Sequence, residues 1–156
     1  MIKEIKGDLL VQERGILCHQ TNYMGVMGGG IAAAIWDKLL DDQCRYNYVN
    51  FCRKCGETAL GYAQFLYVKE DLIVANCYSQ NGFSEMDADG SITNYEAMRE
   101  CFIKVRDFAL QQDLPFVYIP YGMGCGIAGG KWDRVRSIIE DVFSVSDVTA
   151  TIVRLE

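Results

Sequence analysis

The sequence contains no apolar run approaching the roughly 18 residues that a membrane-spanning helix needs, which excludes a transmembrane reading. Residues 1 to 15 include Lys3, Glu4, Lys6, Asp8, Glu13 and Arg14, so they lack the apolar core of a secretory leader, and the chain is expected to stay in the cytosol. Basic charge is in deficit. Fifteen Lys and Arg against 21 Asp and Glu leave a net charge of −6, which argues against broad nucleic-acid binding. A small anion remains open as a partner, because backbone N–H groups can hold phosphate without lysine. Histidine occurs once, and Cys52-Arg53-Lys54-Cys55 is a lone CxxC with no second pair or histidine nearby. A zinc site needs four ligands, so no metal is expected. No GxxxxGKS or GxxxxGKT occurs, which excludes a P-loop.

What is present points to a folded α/β protein. The chain has 156 residues, 50% of them hydrophobic, enough for a real core and most simply for one domain over residues 1–156. Seven cysteines, odd in number and irregular in spacing, fall mostly in apolar runs. They read as buried free thiols of a reducing compartment.

The chain is organised around residues 17 to 36. Gly15-Ile16-Leu17-Cys18 reads as a buried strand, and His19 to Asn22 as the polar edge where it leaves the core. Gly28-Gly29-Gly30 then opens a segment with Ile31, Ile35 and Leu39 at helical spacing. Strand, glycine turn and helix start together aim unpaired N–H groups and the positive end of a helix dipole at one spot. Glycine lets an anion touch that backbone. A second turn of the kind follows the strand Phe116–Pro120, where Tyr121-Gly122-Met123-Gly124-Cys125-Gly126-Ile127-Ala128-Gly129-Gly130 leads into a helix with Trp132, Val135, Ile139 and Val142 on one face. Either turn alone could be a tight loop without a ligand. The pair suggests two linked phosphates held between them.

Elsewhere, Met1 to Lys6 alternates as a half-buried strand does, and Asp8 is either an ordinary turn carboxylate or an acceptor for an amino group such as that of adenine. Helices are expected at 29–41 and 42–55, strands at 61–68 and 71–77, and a polar loop at 79–91 containing Glu85, Asp87 and Asp89. Thr93-Asn94-Tyr95-Glu96 fits a capping box for a helix through Met98, Phe102, Val105 and Ala109. A final strand is expected at 148–155. Strands interleaved with helices predict an α/β sandwich around a largely buried sheet.

Gly124-Cys125-Gly126-Ile127-Ala128-Gly129 formally fits GxGxxG. A Rossmann site would then need further βα units, and only one strand follows, so that reading fails on topology. Lys6-Gly7-Asp8-Leu9-Leu10, Leu17-Cys18-His19 followed by Met27-Gly28-Gly29-Gly30-Ile31-Ala32, and Pro120 through Gly126 with Trp132 beyond resemble the macrodomains instead. The resemblance runs from the first strand to Thr151–Leu155. It is most similar to the small single-domain branches that include terminal ADP-ribose protein glycohydrolases, DNA-linked ADP-ribose antitoxins and ADP-ribose-1''-phosphate phosphatases.

The resemblance implies a three-layer α/β/α sandwich with a mixed, roughly six-stranded sheet that binds ADP-ribose without a cofactor. By it, Asp8 would hold the adenine amine, with Leu9 and Leu155 at the same end. Met27, Gly28, Gly29, Gly30 and Ile31 would meet the diphosphate. Gly122, Met123, Gly124, Cys125, Gly126, Ile127 and Ala128 would wrap its other side and the distal ribose, and Asn22 would contact that ribose. The chain departs from the glycohydrolase branch, having Ala128 where that branch places its aspartate and Tyr78-Ser79-Gln80-Asn81 where it places its lysine. A lysine Schiff-base route is therefore closed.

His19, Asn22, Gln80 and Asn81 remain near the distal ribose. His19 is either a phosphomonoesterase-type acid, base or nucleophile, as at the matching place in the phosphatase branch, or a core histidine bonded to backbone. The expected function is binding of ADP-ribose with hydrolysis of a derivative such as ADP-ribose-1''-phosphate, His19 and Asn22 being the candidate catalytic residues. The alternatives are a non-catalytic reader, or a hydrolase acting on ADP-ribosylated protein or DNA through a water held by Asn22 and substrate phosphate.

Overall fold

The computed structural model describes residues 1–82 and 90–155. Glu85, Asp87 and Asp89, with most of the expected polar loop, lie outside these residues. Six strands form one mixed sheet in the order β1-β6-β5-β2-β4-β3. They are β1 (Ile2–Lys6), β2 (Gly15–Thr21), β3 (Ala63–Lys69), β4 (Leu72–Tyr78), β5 (Phe116–Pro120) and β6 (Thr149–Arg154). All neighbours pair in parallel except β3, which returns antiparallel along β4.

Helices cover both faces, giving three layers. On one face, α3 (Tyr95–Gln111) and α4 (Trp132–Phe143) pack on Ile16, Cys18, Ile73, Ala75, Val117 and Ile152. On the other, α1 (Gly30–Lys38) and α2 (Asp42–Cys55) pack on Leu17, Leu72, Val74 and Tyr78. Side chains of β2 and β4 alternate between the two cores, as the pleat requires, and both strands are buried on both faces as parallel strands between helices must be. Among the described residues, no helix is long and apolar enough to cross a membrane.

Local chemistry sets the helix starts. The Asp41 carboxylate accepts from the Cys44 amide at 2.8 Å and caps α2. Cys44, Tyr48 and Cys52 then recur every four residues as its buried stripe. The capping box expected at Thr93 is displaced by one residue. Asn94 caps α3 by accepting from Ala97 N at 2.9 Å, because the Thr93 hydroxyl is committed elsewhere, to the carbonyl of Gly124. The helix expected to run to residue 41 ends at Lys38.

The expected exit of β2 from the core at His19 is also corrected. Pairing with β4 continues through His19↔Asn76 and Gln20↔Cys77 to Thr21↔Tyr78, and His19 is fully buried.

Candidate functional site

The neighbours β2 and β5 send their chains to opposite faces of the sheet. After β2 the chain turns to α1 on one side, and after β5 to α4 on the other. Diverging connections at the carboxyl ends of parallel strands leave a crevice between them. The crevice here is a cleft of about 620 Å³. Its walls are the two glycine loops, far apart in sequence and brought together by this one topological step.

Of the residues singled out in the sequence, Asn22, Met27, Gly28, Gly29, Gly30 and Ile31 line the cleft from the first loop. Gly122, Met123, Gly124, Gly126, Ile127 and Ala128 line it from the second. Gln20, Thr21 and Gln80 complete the wall at the ends of β2 and β4, with Val26, Ile92 and Tyr121 contributing apolar surface.

The loops present unused donors. Among the described residues, the N–H groups of Gly28, Gly29, Gly30, Ile31 and Ala32 have no intramolecular acceptor, and Gly29 brings no side-chain cap to α1. On the facing loop the same holds for Gly122, Gly124, Gly126, Ile127 and Ala128. Such donors at a helix start and in a glycine turn form an anion-accepting concavity. Gly29 has extended backbone (φ −150°), and a Cβ there would meet nothing within 4 Å. The space it leaves is open cleft.

Asn22 is largely occupied in holding its own loop. Its Oδ1 accepts from Met24 N at 2.9 Å and from the Tyr48 hydroxyl at 3.2 Å, and its Nδ2 donates to Val26 O at 3.0 Å. Burial pushes the Tyr48 phenol well above its ordinary range, so it remains a donor. One Asn22 N–H is left over. The Gln80 carboxamide, by contrast, lines the cleft with no side-chain partner among the described residues.

Five of the expected residues stand off the cleft wall. His19 is fully buried, Nε2 donates to Asn76 Oδ1 at 2.7 Å, and Nδ1 is left without a partner among the described residues. Burial lowers its pKa to about 4, against the smaller opposing effect of the Asn76 bond. Full burial and the Asn76 bond favour a neutral core imidazole over the expected role as acid, base or nucleophile. Leu9 is buried in the core beneath α1 and α2. The Asp8 carboxylate accepts from Leu10 N at 2.9 Å and caps a short 3₁₀ turn over Leu9–Val11. Leu155 is exposed just beyond β6. Cys125 turns its thiol toward Met123 O at 3.4 Å, and burial pushes that thiol up to about 11, so it is no nucleophile at neutral pH.

Three groups escaped the sequence reading: Gln20, Tyr48 and Thr93. Gln20 could have been suspected from strand alternation, since it shares a face with Cys18. Tyr48 meets Asn22 across 26 residues, and nothing local announces that contact.

No family model matches the chain. A crystal structure of a protein from Bacteroides thetaiotaomicron is 30% identical, with a TM-score of 0.85 over 99% of each chain. A macrodomain protein from Streptomyces coelicolor is 26% identical, with a TM-score of 0.77 over 98% of each chain. Thermosipho africanus DarTG, solved in complex with ADP-ribose, is 16% identical and shares the fold with a TM-score of 0.74, over 99% of this chain and 42% of that one.

Proposed function

We propose that the chain is a macrodomain, like the Streptomyces coelicolor macrodomain protein it resembles over nearly its whole length, and that its cleft binds ADP-ribose or an ADP-ribosyl derivative. The observation that carries this reading is the pair of glycine loops lining one cleft with unused backbone donors on both sides. In the proposed pose the diphosphate lies between Gly28–Ile31 and Gly126–Ala128. The adenine end runs toward β6 and β1, where Asp8 keeps one carboxylate oxygen available for the exocyclic amine and Leu155 offers an apolar edge. The distal ribose then falls beside Asn22 and Gln80.

A second reading adds turnover, and the unengaged Gln80 carboxamide favours it. With His19 buried and neutral, a water held by Gln80 and the remaining Asn22 N–H would be the nucleophile. Its oxygen would attack phosphorus of ADP-ribose-1''-phosphate, the P–O bond to the ribose would break, and the leaving ribose oxygen would take the proton that the attacking water gives up. Attack by the same water on the distal anomeric carbon of an adduct on protein or DNA would instead break the bond from that carbon to the protein or DNA atom, which would leave with the proton that the water gives up.

Calorimetry with ADP-ribose, AMP and inorganic pyrophosphate tests the binding reading. ADP-ribose is expected to bind at least tenfold tighter than AMP, and equal affinities would overturn it. A panel of ADP-ribose-1''-phosphate and mono-ADP-ribosylated protein and DNA tests turnover. Silence on all three would leave a reader.

A further inference from the structure

The second glycine loop rests on a buried strut that ADP-ribose binding as proposed does not account for. Ser79 Oγ donates to Gln20 Oε1 at 2.8 Å, Gln20 Nε2 donates to Thr93 Oγ1 at 3.2 Å, and Thr93 Oγ1 donates to the Gly124 carbonyl at 2.6 Å. A carbonyl can only accept, so the Thr93 proton points to Gly124 and its lone pair faces Gln20. Thr93 and Ser79 are fully buried.

The loop is pressed onto this strut. Gly124 has φ +76°, and a Cβ there would stand 2.9 Å from Gln20 Oε1 and 3.0 Å from Thr93 Oγ1. Gly130 N donates to the same Gly124 carbonyl at 2.8 Å, and Ile92 N takes the Ala128 carbonyl at 2.9 Å. Residues 92 and 93 thus draw two carbonyls of the loop into the protein. The N–H groups of Gly126, Ile127 and Ala128 are left without internal acceptors among the described residues. Peptide orientation decides the chemistry, because a carbonyl turned into the cleft would repel a phosphate where an N–H attracts one.

We propose that Thr93, backed by Gln20, is the positioning residue that makes the Gly122–Ala128 loop anion-accepting, by holding the Gly124 carbonyl out of the cleft. The identity of the anion rests on the ADP-ribose reading, whereas the strut itself does not. Thr93→Val keeps the shape and removes the donor, and Thr93→Ser restores it. Two quantities are compared across these variants: ADP-ribose affinity by calorimetry, and hydrogen-exchange protection of the Gly130 amide in ligand-free protein. Thr93→Val is expected to weaken ADP-ribose at least tenfold and to lower Gly130 protection at least tenfold, with Thr93→Ser within threefold of the parent in both. Either quantity unchanged in Thr93→Val overturns the proposal. Failure of the parent protein to bind ADP-ribose would sink the ligand assignment alone, and Gly130 protection would then decide the strut. Should Thr93→Val not fold, Gln20→Leu is read in the same way, with a threefold loss expected in each.

Discussion

The two glycine loops use glycine for opposite reasons. In the first, Gly29 has open space where a side chain would be, so its smallness serves whatever enters the cleft, while Gly30 has the same open space and a left-handed φ of +56°. In the second, Gly124 and Gly130 are crowded by the protein: a Cβ on Gly130 would lie 2.5 Å from the Gly124 carbonyl oxygen. The first loop is held by side chains, Asn22 gripping Met24 and Val26 while Tyr48 grips Asn22. The second is held through its own carbonyls by Thr93 and Ile92. One loop leaves room for a guest, and the other is folded down on its support. Similar sequence texture conceals different mechanical roles.

Substitutions can break this contrast. Gly29→Glu should leave unfolding free energy within about 0.5 kcal/mol of the parent, as for a surface change. It should abolish ADP-ribose binding, a loss of more than roughly 100-fold, since it sets a carboxylate among donors meant for phosphate. Denaturant melts together with calorimetry check both halves, and a destabilised variant would erase the distinction between the loops. Gly130→Ala should do the reverse, costing about 2–4 kcal/mol by overpacking against backbone. A stability change below about 0.5 kcal/mol in urea titration would mean that the second loop is as open as the first.

Acid provides a probe of the strand that serves both loops. The folded pKa of His19 is about 4 against an ordinary value of 6.5. Between these values the unfolded chain binds the proton and the folded one does not, so stability should be full above pH 6.5 and fall as pH drops toward 4. The loss attributable to this group is on the order of 3 kcal/mol. Comparing urea titrations of the parent and His19→Gln across that window isolates it. Equal pH slopes would refute burial of a neutral imidazole. The smallest effect is expected of Tyr48→Phe, which removes one hydroxyl from Asn22 and should cost about 1 kcal/mol. It should also weaken ADP-ribose a few-fold, read by the same calorimetry, while Gly130 protection stays put.

Much of this architecture is legible in the residues themselves. Apolar runs at 15–18 and 116–120, helical spacing after each glycine turn, and the alternation of strand and helix foretell an α/β sandwich around a largely buried sheet, and only the macrodomain resemblance adds that the sheet is mixed. The two loops announce themselves because glycine clusters between periodic segments have few physical explanations. The misreadings share one cause. His19 at the end of an apolar run looks like a strand leaving the core, yet its acceptor Asn76 lies 57 residues away. Thr93 and Glu96 have the spacing of a capping box, but a carbonyl 31 residues downstream takes the hydroxyl first. Asn22 sits at the cleft as expected, while Tyr48 and Val26 consume most of its hydrogen-bonding capacity. Local pattern reveals which groups are polar, and only the packed fold decides which partner wins each of them.

The donors that the two glycine loops offer to the cleft belong to peptide bonds, and that has a consequence for genetics. Replacing a side chain by anything but proline cannot delete an amide N–H, so an alanine scan across residues 28–31, 126 and 127 would register steric changes and leave the donor set in place. Drift in this part of the chain can therefore alter recognition by adding bulk, by re-aiming the backbone, or by introducing a proline, which has no N–H. A cleft built this way tolerates wide divergence in the residues around it and is sensitive at a few positions where a single carbon atom is already too much.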